Sequence, residues 1–348
     1  MRTELFDYSL PEELIAPYPL PERDGARLCV LGPEEPSEAR VRDLPRLVEP
    51  GDLLVLNETK VRPARVFCER PRSGSQGGGR VEVVFLRQLE AGQWEALARA
   101  NRPLRPGDKL AIVEAGLELT VEKKGEQGTI FLRSTEDVEE ALARHGQMPL
   151  PPYMRRAAED LDRSRYQTVF AKEVGSAAAP TAGLHLTPEL LSEIEAKGVR
   201  VARLVLHVGL GTFRPVSTDD LDDHAMHEEW IRVTAEVSEA VRRTREQGGR
   251  VVAIGTTVVR ALESLADEQG QIAPGERATR LLIQPGYRFR VVDALLTNFH
   301  MPKSTLVALV SALGGRERVL AAYEWAIARK FRFLSYGDAM WIPGRMAE

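Results

Sequence analysis

The sequence predicts an α/β protein: a mainly parallel sheet covered by helices, into which a small antiparallel β-barrel is inserted. Three features carry this expectation. From about residue 166 onward, short apolar runs alternate with helical stretches, the rhythm of strand-then-helix units. Between 61 and 150 the chain instead carries short β-rich pieces separated by turn residues, as in a small barrel. The apolar run 53–56 precedes that stretch but fits the later pattern, so a large discontinuous domain, 1–60 with 151–348, surrounds an inserted one, 61–150.

Taken in order, Leu53-Leu54-Val55-Leu56 reads as a buried strand that stops at the polar segment Asn57-Glu58-Thr59-Lys60. The expected strands of the insert are 81–86, 94–98, 109–113, 117–122 and 129–132. Pro106-Gly107-Asp108 and Gly125 turn the chain between them, and 73–79 reads as a flexible hairpin loop. Pro149, Pro151 and Pro152 mark the boundary. Thr187 caps a helix with Pro188 at its first position, and Gly198 stops it. A strand at 201–206 follows, then a unit running from strand 250–254 through Gly255 into helix 256–265. Further pieces lie at 291–297, 304–313 and 316–330, and Phe331 to Leu334 reads as a last strand.

Composition excludes several classes of function. The 348 residues hold 47 Lys+Arg against 51 Asp+Glu, with 43% apolar and 28% charged content. That mixture is neither disordered nor membrane-spanning. The net charge of −4 gives no global basic footprint for nucleic acid, although 39 of the 47 basic residues are arginine, the side chain best shaped for phosphate. Neither a secretory signal nor a disulfide framework is visible, since the only cysteines are Cys29 and Cys68, and a cytoplasmic protein is expected. No second long apolar pattern is present, so a monomer is the default.

Polar residues gather where the expected strands end: Asn57 and Thr59, His207, Thr256 and Thr257, Asn298 and His300, and Tyr336 with Asp338. Ligands of α/β folds bind at the carboxyl edge of the strands, so these clusters are expected to face one cleft. Residues 179–187 place small residues, with Thr181, Gly183 and His185, ahead of a capped helix, a setting that suits an anion. His207-Val208-Gly209-Leu210-Gly211-Thr212-Phe213 lets a ligand approach the backbone, but it lacks the third glycine and following helix of a dinucleotide fingerprint. His224, His227 and Glu229 have acid/base chemistry without the H-E-x-x-H spacing of zinc ligands, so no metal is expected. Walker A and G-x-S-x-G motifs are absent. Arg62, Arg65, Arg70, Arg72 and Arg80 crowd the start of the insert, where a β surface can track a phosphate backbone.

These blocks together resemble the S-adenosylmethionine:tRNA ribosyltransferase-isomerase family of queuosine biosynthesis over nearly the whole chain. The similar segments are 6–16 (FDYSLPEELIA), 53–65 (LLVLNETKVRPAR), 178–191 (AAPTAGLHLTPELL) and 207–216 (HVGLGTFRPV). They continue through 224–230 (HAMHEEW), 253–264 (AIGTTVVRALES), 295–315 (LLTNFHMPKSTLVALVSALGG) and 333–342 (FLSYGDAMWI). Glu58, Lys60, Leu186 and Glu228 depart from the family pattern without removing a catalytic candidate.

The resemblance implies a barrel-like α/β large domain with the inserted small β-barrel. It also implies transfer of the ribosyl part of S-adenosylmethionine, here a co-substrate, to the aminomethyl group of a 7-deazaguanine at the tRNA wobble position. Adenine and methionine leave, and the ribose rearranges to give epoxyqueuosine tRNA. Such chemistry needs a base beside the sulfonium and a proton for the departing adenine. Glu229, His227 and His300 are expected to serve, with Asp338 as alternate. Asn298 and Thr257 are expected to hold ribose hydroxyls, and Gly209, Gly211 and Phe213 to pack near adenine. His207 belongs with the same binding set, while the turn of Thr181, Gly183 and His185 receives the methionine carboxylate or a tRNA phosphate. Arg62 and Arg65 are expected to contact the RNA backbone, and Tyr8 and Tyr336 to stack on unpaired bases. A small-molecule lyase using the same His/Glu set and a non-catalytic RNA-binding protein are the competing readings.

Overall fold

A computed structural model describes residues 1–71, 79–125, 128–209 and 216–345. Every residue of strand Leu53–Asn57 is buried, because layers cover both of its faces. The strand lies near the middle of a nine-stranded mixed sheet. Strands Arg200–His207 and Val251–Ile254 flank it in parallel, and Ala294–Asn298 runs parallel to Val251–Ile254. Side chains alternate between two cores, as the pleat requires. Leu53, Val55, Leu204, Leu206, Val251 and Leu295 join one, while Leu54, Leu56, Val252, Ile254 and Leu296 join the other.

The sheet edges are antiparallel. Glu229–Val233 and Gly275–Thr279 complete one side, whereas Ala339–Ile342 runs antiparallel to Ala294–Asn298 on the other. Arg27–Val30 follows outward in parallel with Ala339–Ile342, and Ser37–Arg40 closes that side antiparallel to Arg27–Val30. The reversed direction has a functional consequence: residues just before Glu229–Val233 and Ala339–Ile342 share an edge with the carboxyl ends of the four parallel strands.

The last strand is therefore Ala339–Ile342, not 331–334. Phe331 and Phe333 both pack on Phe299, with ring centroids 5.9 and 4.6 Å away. Two alternate aromatics thus mimic a strand pattern, but the chain turns at Leu334, whose φ is 70°. The expected helix caps are present, since Thr187 accepts from the N–H of Leu190 at 3.1 Å and Ser304 from that of Val307 at 3.3 Å.

A closed six-stranded antiparallel barrel forms from Arg65–Arg70, Gly79–Glu90, Gln93–Ala100, Lys109–Ile112, Leu117–Lys124 and Thr129–Arg133. Inward residues such as Cys68, Val83, Phe85, Trp94, Leu110 and Leu119 fill it. The arginine-rich start of the insert is one of its strands, and a helix missed from the sequence, Val138–His145, follows the last strand under an Asp137 cap. The expected loop 73–79 lies outside the described residues except for Gly79. The chain enters and leaves the barrel side by side: Arg65 and Gln147 exchange two backbone hydrogen bonds of 3.1 and 2.7 Å. Nearby, Thr59–Val61 pairs in parallel with Glu173–Ser176. Among the described residues no helix is long and apolar enough to cross a membrane.

Candidate active site

A cleft of about 680 Å³ opens at the carboxyl edge of the parallel strands. Its wall is made by the ends of Val251–Ile254 and Ala294–Asn298, by the turn around Thr181 and by the start of helix Thr305–Gly314. No Asp, Glu, Lys or Arg is among the described lining residues.

Local sequence explains how each polar group reaches the cleft. Gly255 has φ 94°, which lets the chain turn from strand into helix Thr256–Leu265 and bring Thr256 and Thr257 to the wall. Asn57 fixes this corner. Its amide donates to the carbonyl of Leu206 at 2.9 Å and to Oγ1 of Thr257 at 3.3 Å, while its Oδ1 accepts from the N–H groups of Leu206 and Thr59 at 3.0 and 3.2 Å.

Asn298 and His300 follow the next strand. The Asn298 amide donates to the carbonyl of Leu334 at 3.1 Å and lies 3.1 Å from Nε2 of His185. Its Oδ1 is buried with no hydrogen-bond partner. A buried acceptor of this kind is costly, which marks it as a place for a ligand donor. Nε2 of His300 lies 2.8 Å from Oγ1 of Thr297, and the Tyr8 hydroxyl donates to the His300 carbonyl. Burial pushes the His300 pKa down to about 3, so its imidazole is neutral at pH 7. Tyr153 and Ser335, which sequence reasoning missed, complete the polar wall with oxygens 2.6 Å apart. The proline run before Tyr153 was their only local signal.

Five of the expected residues thus meet at the cleft: Thr181, Thr256, Thr257, Asn298 and His300. The remaining candidates lie elsewhere. Glu229 is buried and ion-paired at 2.9 Å with buried Arg260, whereas His227 is exposed, and neither lines the cleft. Asp338 reaches the right edge, but its carboxylate accepts from the backbone N–H groups of Arg27 and Arg332 at 2.9 and 2.8 Å. It fastens a strand start and is not a cleft base. Gly183 gives room to Thr168 and Phe170, each of which would stand 2.9 Å from a Cβ there. His185 faces a smaller cavity on the far side of Asn298. His207 stacks on Trp230 at 5.0 Å and bonds Oγ1 of Thr59 through Nδ1 at 2.8 Å, away from the described wall. Gly209 borders open space, since a Cβ there would meet no described atom within 4 Å. Gly211 and Phe213 lie outside the described residues. Among the described residues no three His, Cys, Asp or Glu side chains could hold a metal ion.

The side chains expected to contact RNA all have partners within the fold. Arg62 is buried, donates to Glu139 with a shortest contact of 2.6 Å, and lies 5.0 Å from the Trp94 ring. Arg65 is paired with Glu82, its Nε donating at 2.6 Å. Tyr8 packs edge-on against Tyr323, and Tyr336 is buried with its hydroxyl on Asp162 at 2.8 Å. Arg62 and Tyr336 are buried, Arg65 and Tyr8 are half-buried, and each of the four is held by a partner within the fold. Arg62→Ala is accordingly expected to leave the salt dependence of tRNA binding unchanged, while destabilising the barrel junction by about 1.5–3 kcal/mol through loss of the hydrogen bonds to Glu139, whose side chain stays 42% exposed. Parallel salt titrations and denaturant melts would read both quantities.

The buried histidines also set a stability window. Unfolded imidazoles take up protons near pH 6.5, whereas burial holds His185 near 4 and His300 near 3. Between those values the unfolded chain binds more protons, so folding stability falls as pH drops from about 6.5 towards 4. Each group contributes on the order of 3 kcal/mol across its range, at about 1.4 kcal/mol per pH unit. Calorimetry from pH 7 to 4 should show the thermal midpoint falling, less steeply for the His185→Asn/His300→Asn double variant.

Comparison with known proteins agrees with this architecture. A family profile described as "Queuosine biosynthesis protein" matches residues 3–342. A protein of Trichlorobacter lovleyi named S-adenosylmethionine:tRNA ribosyltransferase-isomerase is 48% identical over 345 residues, covering 98% of this chain and all of that one. A protein of the same name from Anaeromyxobacter is 50% identical over 347 residues, with 98% of each chain covered. The crystal structure of S-adenosylmethionine tRNA ribosyltransferase from Thermotoga maritima superimposes with a TM-score of 0.55 at 36% identity, covering 97% of this chain and 99% of that one. A full-length profile match and near-50% identity leave one conclusion: the chain belongs to the queuosine biosynthesis protein family.

Proposed function

We propose that this chain transfers the ribosyl part of S-adenosylmethionine to tRNA and isomerises it, and that the sheet-edge cleft is where the reaction occurs. Family membership supports the activity. The unpartnered Oδ1 of Asn298 beside His300 supports the location, because a ribose hydroxyl is the donor that this acceptor lacks.

In this reading S-adenosylmethionine is a ribosyl donor and no metal takes part. The acceptor is the aminomethyl group of a 7-deazaguanine at the wobble position, the amine forms the new bond to the ribosyl group, and adenine and methionine depart. Asn298 and Thr257 hold ribose hydroxyls, and Thr181 contributes a donor at the cleft mouth. His300 is the acid/base group that borders the cleft, oriented by Thr297, and it takes part in proton transfer between the position next to the sulfonium and the departing adenine. Tyr153 and Ser335 offer further hydroxyls. The chain acts as a cytoplasmic monomer, divided into a large domain of 1–60 with 151–348 and an inserted barrel domain of 61–150. The paired entry and exit strands at Arg65 and Gln147 support that division.

The test incubates purified protein with S-adenosylmethionine and tRNA bearing the aminomethyl-deazaguanine, omitting each in turn, with and without a chelator. Adenine and methionine are expected only from the complete mixture, chelator or not. Release without tRNA would replace this function by a small-molecule lyase, and tRNA binding without release would leave only a binding module.

A further inference from the structure

Behind the cleft, a second cavity of about 290 Å³ is lined by Arg23, Arg165, His185, Ser335 and Tyr336, among others. Ser335 belongs to both cavities, and the contact between Asn298 and His185 lies between them.

Carbonyl-held arginines occur elsewhere, Arg163, Arg245 and Arg318 among them, but here three such side chains gather around one cavity. Arg62, Arg65 and Arg156 are each matched by a carboxylate. Arg23 instead donates to the carbonyls of Leu184 and Ser164 at 3.0 and 2.9 Å, and Arg165 to those of Pro21 and Leu20 at 2.9 and 2.6 Å. Arg332 donates to the carbonyl of Tyr18, next to the cavity's Pro19. Main-chain carbonyls fix the three guanidinium groups without neutralising them, and among the described residues none of the three forms an ion pair. Nε of Arg165 and Nη1 of Arg332 are buried without any hydrogen-bond partner. Glu22, which also lines the cavity, is matched by Arg42 at 2.5 Å, Asp162 by Arg156 at 2.7 Å, and Asp338 accepts from the backbone N–H groups of Arg27 and Arg332. Burial and the neighbouring charge of Arg165 both push the Arg23 guanidinium below its ordinary value, as expected of cations gathered without a counter-ion.

We propose that this cavity is an oxyanion subsite for a phosphodiester of the tRNA substrate, next to the nucleotide that enters the cleft. The inference rests on the proposed function. Guanidinium forks suit phosphate oxygens. A continuous polynucleotide can place a nucleoside in one cavity and a flanking phosphate in its neighbour, while Ser335 and the Asn298–His185 contact stand between the cavities. The methionine carboxylate is the other oxyanion of the reaction, and the test separates the two.

Binding of the aminomethyl-deazaguanine tRNA and of S-adenosylmethionine is measured for Arg165→Gln and Arg165→Lys across a salt series, with thermal melts to check folding. The expected result is about tenfold weaker tRNA binding by Arg165→Gln and a slope of log affinity against log salt smaller by about 0.7, the value for one single-strand phosphate. Arg165→Lys keeps most of that slope, and affinity for S-adenosylmethionine is unchanged. A second measurement needs no variant: uncharged methylphosphonate linkages are placed one at a time around the target nucleotide. One position should weaken binding to the unaltered protein and have no effect on Arg165→Gln. Unchanged tRNA affinity and slope in Arg165→Gln overturn the proposal, as does a loss confined to S-adenosylmethionine or the absence of any sensitive linkage. If the unaltered protein releases no adenine with tRNA, the proposed function fails instead, so the two failures are distinguishable.

Discussion

His300→Ala is expected to lower single-turnover release of adenine by about 10²- to 10⁴-fold, the usual cost of removing an acid/base partner. The side chain borders a cleft with no Asp, Glu, Lys or Arg in its described wall, so no nearby charged group replaces it. Binding of S-adenosylmethionine should change much less, which separates a chemical role from a structural one. The pH profile adds an independent check. With burial holding His300 near 3, its protonation gives no rate-limiting limb between pH 6 and 8. Thr297→Val removes the 2.8 Å partner of Nε2 and should lower the rate by a smaller factor, through loss of orientation alone. Near-normal turnover by His300→Ala would remove this residue from the reaction.

The largest expected loss of stability comes from Asp162→Ala. The Asp162 side chain is fully buried and accepts from Arg156 through two bonds of 2.7 and 2.8 Å, from the Tyr336 hydroxyl at 2.8 Å and from the N–H of Glu159 at 2.8 Å. It joins the segment after the barrel to the turn before strand Ala339–Ile342. Alanine leaves a mostly covered guanidinium without its carboxylate and a buried phenol without its acceptor, at a cost of about 3–5 kcal/mol. Denaturant unfolding should show that loss, and Asp162→Asn, which keeps the shape, should lose less. A change within about 0.5 kcal/mol, the usual scatter of neutral surface substitutions, would mean that the network contributes nothing net.

Much of the architecture is legible in the sequence because local rules decide it. Thr187 and Ser304 cap their helices, and the continuous apolar run 53–56 is covered on both faces. The meeting of Thr257, Asn298 and His300 is also legible, since polar residues at parallel strand ends share one edge whatever the loops do. Partner choice across the fold is not. Arg62 reads as a surface cation until Glu139, 77 positions away, is placed against it. Asp338 reads as a free carboxylate because nothing local reveals that the N–H groups of Arg27 and Arg332 point at it. Phe331 and Phe333 imitate a strand because alternation records which side chains are buried, not whether the backbone is laddered. Arg23, Arg165 and Arg332 come from three distant segments without a common motif, and only folding gathers them.

The most direct test of the sheet-edge cleft as the reaction site is a crystal structure of the protein with S-adenosylmethionine bound. A ribose hydroxyl should lie within hydrogen-bond distance of Oδ1 of Asn298, about 2.7–3.2 Å, with the sulfonium side of the nucleoside towards His300. A nucleoside bound elsewhere, with Asn298 Oδ1 still lacking a donor, would contradict it.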